Sequence, residues 1–298
     1  MKTFFYTILY NRHVNFLLRN FIKFINNLFG FNFILHPSGI LKVKLINQNV
    51  IYFNTNQTAY VTVKIFWEGY ENFEYSLIFI DLIKNIKTFI DVGSNIGYYT
   101  VIGAVLNKNL KVISFEPSNA AFNYLNKNII INKLSHNVVL EKTALSDKLG
   151  FIEFFEVYNP KYPAIPNLSG EHNIGTKKMK FKTTTRVESI TLDKYISDNN
   201  VDNLDLIKLD TEGSEHLIMK EGIQTIIKYK PIIICEILNK ASNRTLIDNI
   251  IDNLNYSIYY HNNNKLIKIS SVQKKIIEGV NDYFFVHPSK EYLIKNYI

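Results

Sequence analysis

Several things are scarce in this chain of 298 residues, and each scarcity excludes a class of protein. There is one cysteine, so neither a disulfide framework nor a cysteine-type zinc site can form. That residue, Cys235, stands in the apolar run PIIICEIL and reads as a buried, inert thiol. With 12 Gly and 7 Pro the chain is neither collagen-like nor a low-complexity linker. No run of about 18 apolar residues occurs, which argues against a membrane-spanning helix. The segment from Met1 to Tyr10 has no small-residue cleavage site and is followed by Arg12 and His13. It therefore does not read as a signal peptide, and the expectation is a cytoplasmic protein. Acids are missing entirely before Glu68, while Lys2, Arg12, Arg19, Lys23, Lys42, Lys44 and Lys64 precede it. The formal charge of +8 is thus almost all N-terminal, on a body that is nearly neutral. Such a distribution points to an anionic surface for that segment alone and not to a general nucleic-acid binder.

What the chain does have is apolar mass, 47% hydrophobic with 21 Phe and 19 Tyr, enough for a packed core. Residues 11–29 follow helical spacing, with Val14, Leu17, Leu18, Phe21, Ile25 and Leu28 on one stripe and Arg12, Arg19 and Lys23 opposite. This fits a helix lying on an anionic membrane, a peripheral contact through residues 11–29; it fits equally a stripe packed on the body with a solvated basic face. Residues 40–66 alternate and predict a small antiparallel meander whose last strand is Tyr60–Phe66. From Lys87 strands and helices alternate: strands at 89–93, 111–115, 138–145, 205–210 and 231–237, helices at 95–106, 118–131, 191–199 and 214–228. Segments 151–157 and 178–187 read as an antiparallel insertion around a polar loop. A helix at 243–254 and strands near 256–261, 265–270 and 283–287 complete the chain. Unbroken β-branched runs indicate strands covered on both faces. The expectation is a doubly wound α/β domain with a mostly parallel sheet over 67–298, preceded by the basic helix and meander of 1–66.

The sharpest motif is Asp91-Val-Gly93-Ser-Asn-Ile-Gly97, joining a buried strand to a helix. Glycines there let the backbone approach a ligand, and the helix start favours an anionic group. The spacing is not the nicotinamide fingerprint G-x-G-x-x-G, since Ser94 and Asn95 replace its central turn. Glu116 follows the next strand in SFEPS and is placed to accept both hydroxyls of an unphosphorylated ribose.

FIDVGSNIGYYT, SFEPS, TALSD (143–147), SITLDKYI and LIKLDTEGSE, followed by PIIICEI, together resemble the FkbM-type methyltransferases over about residues 66–240. The resemblance implies a class I methyltransferase, Rossmann-like fold and S-adenosylmethionine as cofactor. It implies that Asp91, Gly93 and Gly97, with the intervening Ser94 and Asn95, line the methionine end. Glu116 would hold the ribose, and Ala144 and Leu145 would lie beside the adenine. The family usually has Ala where this chain has Ser94, a change expected to be harmless.

Chemistry is expected at the carboxyl ends of the strands. Asp210 ends LIKLD, and Glu212 and Glu215 follow it; Glu236 ends the neighbouring strand. Asp210 is the expected general base or orienting group, with Glu212 beside it, unless both only cap the following helix. His172, in the polar loop 167–175, is a candidate acid or base over the substrate. The amide-methylating signature N-P-P-[YF] is absent after this strand, where Asp-Thr-Glu-Gly stands, which favours an oxygen acceptor such as a sugar, glycan or small metabolite. No metal is assigned, although Asp210, Glu236 and Asn239 could converge on a hard cation. The remaining alternatives are an RNA 2′-O-methyltransferase and a binding protein of the same fold without catalysis. RNA-module motifs are not recognisable, which argues against a nucleic-acid partner.

Overall fold

The structure, a computed structural model, describes all residues except 1, 47, 158, 160, 163–164, 169–181, 239–240 and 275. Two helices, α1 (Lys2–Leu9) and α2 (Arg12–Phe29), precede a hairpin of β1 (Gly39–Lys44) and β2 (Val50–Thr55). Helices α3 (Tyr60–Trp67) and α4 (Ser76–Leu82) then lead into the main body. The body runs β3 (Thr88–Val92), α5 (Tyr98–Leu106), β4 (Lys111–Phe115), α6 (Asn119–Ile131), β5 (Val138–Glu141) and β6 (Ala144–Leu145). It continues through β7 (Gly150–Val157), β8 (Lys182–Ile190), α7 (Leu192–Asp198), β9 (Leu206–Leu209), α8 (Glu215–Glu221), α9 (Ile223–Tyr229) and β10 (Ile232–Glu236). The last elements are α10 (Ala241–Asn253), β11 (Ser257–Asn262), β12 (Lys265–Ile269) and β13 (Asp282–Val286).

Eight strands form the central sheet in the order β12-β11-β13-β10-β9-β3-β4-β5. Pairs from β10 through β9, β3 and β4 to β5 are parallel, while β13 and β12 run antiparallel to their neighbours. Every residue of β3 and β9 is buried, as expected of strands covered on both faces. The chain steps from β3 to β4 and β5 on one side and returns to β9 on the other. This reversal opens a crevice at the carboxyl ends of β3 and β9. The antiparallel pair β7–β8 and the short parallel β6 make a separate three-stranded sheet beside it.

Three sequence expectations need correction. Tyr60–Phe66 is not the third strand of a meander but the body of α3. Its buried residues Thr62, Ile65 and Phe66 have helical spacing, and the Asn56 carboxamide accepts the Thr58 amide at 2.9 Å, turning the chain into the helix. The helix expected over 214–228 is broken into α8 and α9 at Gly222. A Cβ there would lie 2.6 Å from the Leu192 side chain, so α7 packs into the notch.

The third correction concerns α2. The helix exists, but it docks by its polar side. Asn15 and Arg19 are its buried residues, and the apolar stripe faces outward instead of packing on the body, with Leu17 68% and Phe21 61% exposed. Arg19 is 1% exposed and donates to the Ser38 carbonyl at 3.0 Å, the Ile40 carbonyl at 2.7 Å and the Asn15 side chain at 3.1 Å. Lys23 is likewise turned in, donating to the Phe66 carbonyl and lying over its ring at 4.7 Å.

The hairpin contributes Leu41, Val43, Ile51 and Phe53 to the same core that α4, α5 and β3 fill. Its β2 edge is closed by two asparagines one turn apart, Asn128 in α6 and Asn132 capping its end. Asn128 and Asn132 each accept a β2 amide and donate to a β2 carbonyl, as a neighbouring strand would. Among the described residues no helix is long and apolar enough to cross a membrane.

Candidate active site

The crevice is a cavity of about 280 Å³. It is bounded by the β3–α5 turn, the ends of β4 and β9, β6, β7 and the segment 73–74. The turn is shaped by two glycines with left-handed backbone. Gly93 (φ +74°) is required by close approach, since a Cβ would stand 1.9 Å from the Asp210 carbonyl oxygen of the neighbouring strand end. Gly97 (φ +86°) starts α5, with Leu125 packed where a Cβ would point. Asn95 also takes the left-handed conformation (φ +51°), which asparagine tolerates well. Ser94 is buried and donates its hydroxyl to the Phe115 carbonyl at 3.3 Å, so the hydroxyl is accommodated within the turn.

Glu116 is 2% exposed and is held by two backbone amides, Asn95 N–H at 2.8 Å and Ser118 N–H at 2.9 Å, one on each carboxylate oxygen. Each oxygen keeps a further lone pair for a ligand. Burial pushes the Glu116 carboxyl up to about 7, against the two amides that stabilise its charge. Asp91 is also buried, with one oxygen accepting the Thr100 hydroxyl at 2.7 Å. Its other oxygen has no hydrogen-bond partner and lies 4.0 Å from the Lys208 ammonium. Ala144 and Leu145 line the cavity.

The opposite wall is acidic, with one buried cation at its centre. Lys208 Nζ donates to Asp210 at 2.8 Å and lies 5.6 Å from the Tyr99 ring centroid. Burial disfavours its charge, but the carboxylates of Asp210 and Asp91 prevail and hold it above its ordinary value. Glu236 is hydrogen-bonded to Asp210, and repulsion from that carboxylate, with burial, pushes it up to about 11. The pair therefore favours one shared negative charge over two. Asp210 thus lies between the Lys208 ammonium, which donates to it, and the Glu236 carboxyl. Glu74, exposed at the rim of the same cavity, accepts the Tyr99 hydroxyl at 2.7 Å, and desolvation of its carboxyl on the cavity side pushes it up to about 7.

Of the residues singled out in the sequence, Asp91, Gly93, Ser94, Asn95, Glu116, Ala144, Leu145, Asp210 and Glu212 all line this cavity. Glu215 does not. It is 2% exposed and accepts from the Thr211 and Gly213 amides at 2.8 and 3.1 Å, locking the turn that presents Asp210 and Glu212. His172 and Asn239 lie outside the described residues. Asp210 and Glu236 do meet, but among the described residues no group of three His, Cys, Asp or Glu side chains could hold a metal ion. Two cavity residues escaped sequence reading. Lys208, a charge inside an apolar strand, was a usable signal; Glu74, in a loop remote in sequence from every motif, was not.

The Methyltransferase FkbM domain family matches residues 91–262, more than half of the chain. Similar solved structures include the FkbM methyltransferase of Methylobacillus flagellatus KT, at 14% identity and TM-score 0.42 over 67% of this chain and 43% of that one. A human methyltransferase 10 domain-containing protein has 13% identity and TM-score 0.41, covering 72% of this chain and 82% of its own. A precorrin-6y C5,15-methyltransferase from Geobacter metallireducens GS-15 has 8% identity and TM-score 0.39, covering 71% and 86%. The chain thus spans less than half the length of the first of these. No curated protein matches it.

Proposed function

The chain belongs to the FkbM methyltransferase family, of class I fold, and from that premise we propose that it is an S-adenosylmethionine-dependent O-methyltransferase. Its acceptor would be a hydroxyl of a sugar, glycan or other small hydroxylated metabolite. The cofactor fits the residues present. The unpartnered Asp91 oxygen suits the amino group of a methionine moiety. Glu116, held open by two amides, suits a ribose diol, and Ala144 and Leu145 offer an apolar seat for the base. Bound there, the cofactor supplies an electrophilic methyl group on a sulfonium.

The observation that carries the oxygen assignment is the carboxylate set around Lys208. An acceptor hydroxyl needs to be oriented and to lose its proton. Asp210, fixed by Lys208 and Glu236, is suited to orienting the hydroxyl by accepting its hydrogen bond. Glu74, pushed up to about 7, is tuned to take a proton near neutral pH, and the Tyr99 hydroxyl holds it in place. Tyr98 and Phe73 add aromatic surface to the same wall, on which the C–H faces of a sugar ring can lie.

Incubation with S-adenosylmethionine bearing a deuterated methyl group and a panel of hydroxylated acceptors, followed by mass spectrometry, tests this reading. Label recovered on an acceptor oxygen is the expected result. Label found on nitrogen or carbon would overturn the oxygen assignment, and absence of cofactor binding in calorimetry would overturn the cofactor site.

A further inference from the structure

The N-terminal arm shows an arrangement unlike that of an ordinary surface helix. α2 buries Asn15 and Arg19 and leaves its large apolar side chains outside. Phe16, Leu17, Phe21, Phe24 and Leu28 are 52–68% exposed, and α1 adds Phe5 at 61%. Soluble monomers seldom present so continuous an apolar face to water, and such faces mark a partner. The arm is nonetheless firmly built onto the body. Asn11 caps α2 by accepting the His13 amide at 3.0 Å, and Arg19 ties the helix to the carbonyls of Ser38 and Ile40. Tyr6 of α1 and Tyr10, in the turn that follows it, pack edge-on against Tyr162 at 5.4 and 5.6 Å. The exposed face is therefore held outward by the fold rather than left over from a missing contact.

Charge identifies the occupant. No carboxylate occurs before Glu68, so nothing on the arm repels an anionic surface. Arg12 at the start of α2 is exposed, and Lys161 lies 5.2 Å from the rings of both Tyr6 and Tyr162, beside α1. Arg19 and Lys23 are turned inward, but a second copy of the chain on this face would still bring the exposed Arg12 of each arm together with no acid of the arm to pair it. An anionic bilayer offers both an apolar interior and counter-charge. We propose that α1 and α2 form a docking surface that seats this protein in the interface of an anionic lipid membrane, with the apolar face of α2 at the acyl boundary. The inference is independent of the reaction assigned to the cavity.

Co-sedimentation of the full chain with phosphatidylcholine vesicles, with and without phosphatidylglycerol, tests it. The protein should pellet with the anionic vesicles, less with neutral ones, and less at high salt. The combined substitution Leu17→Ser, Phe21→Ser, Phe24→Ser and Leu28→Ser should weaken that binding at least about tenfold. Its melting temperature and S-adenosylhomocysteine binding should be unchanged, because none of these side chains reaches the core or the cavity. No binding by the parent chain at low salt would overturn the proposal, as would equal binding by the substituted chain. A concentration-dependent dimer abolished by the same substitutions, without vesicle binding, would assign the face to a second copy instead.

Discussion

Glu116 shows how much one side chain can carry. Its two oxygens organise the β3–α5 turn and the start of α6 through the Asn95 and Ser118 amides while facing the cavity. Substitution by Ala leaves two buried donors without partners and removes the proposed ribose acceptor. A hydrogen bond to a charged group contributes roughly 1.5–3 kcal/mol, so cofactor affinity should fall by about one to two decades in calorimetry. Glu74 separates from it by a different readout. Glu74→Gln should lower kcat by roughly 10²–10⁴-fold with little change in S-adenosylhomocysteine affinity. In the parent enzyme kcat should fall as pH drops through about 7, where Glu74 takes up its proton, and that limb should vanish in the variant.

At the scale of elements, close backbone approach decides what the turns tolerate. Gly93→Ala would drive a Cβ into the Asp210 carbonyl, a backbone atom that cannot move without disturbing β9. This variant should lose cofactor binding and melt markedly lower in calorimetry. Gly150→Ala, which meets open space at φ +102°, should cost only about 1 kcal/mol from the strained backbone. The α2 anchor offers a second test. Arg19→Met leaves the Ser38 and Ile40 carbonyls without their donor, and loss of a charged hydrogen bond costs roughly 1.5–3 kcal/mol. Hydrogen exchange should then speed up across 12–29 while β3 and β9 keep their protection.

For the whole molecule, the topology gathers acids that are far apart in sequence, and stability should record it. Glu74 and Glu116 rise from an ordinary 4.5 to about 7 in the folded chain. The folded state holds those protons more tightly than the unfolded one. Their contribution is therefore fully present below about 4.5 and is lost as pH rises through about 7. Glu236, pushed up to about 11, stays protonated throughout that window. The melting temperature of the cofactor-free protein should accordingly fall between pH ~5 and pH ~8, and Glu116→Gln should flatten the slope. A profile rising over that interval would contradict these assignments.

The sequence by itself determined most of the strands, the parallel core and the cavity residues at the ends of β3 and β4, because those features are local. Unbroken β-branched runs reveal burial on both faces, and Asp91 through Gly97 and Glu116 sit at strand ends that the alternation of elements already locates. Short apolar segments were less legible. Tyr60–Phe66 is equally compatible with either period, and only packing of Thr62, Ile65 and Phe66 against the body makes it a helix. Tertiary structure alone decided which face of α2 turns inward. Periodicity shows that a helix has two faces, but orientation follows from the partners each face meets. Here three acceptors, the Ser38 and Ile40 carbonyls and the Asn15 side chain, claim Arg19. Tertiary structure also brought Glu74 from its loop to Lys208, Asp210 and Glu236, since convergence of side chains from distant segments is a property of the fold and leaves no local trace.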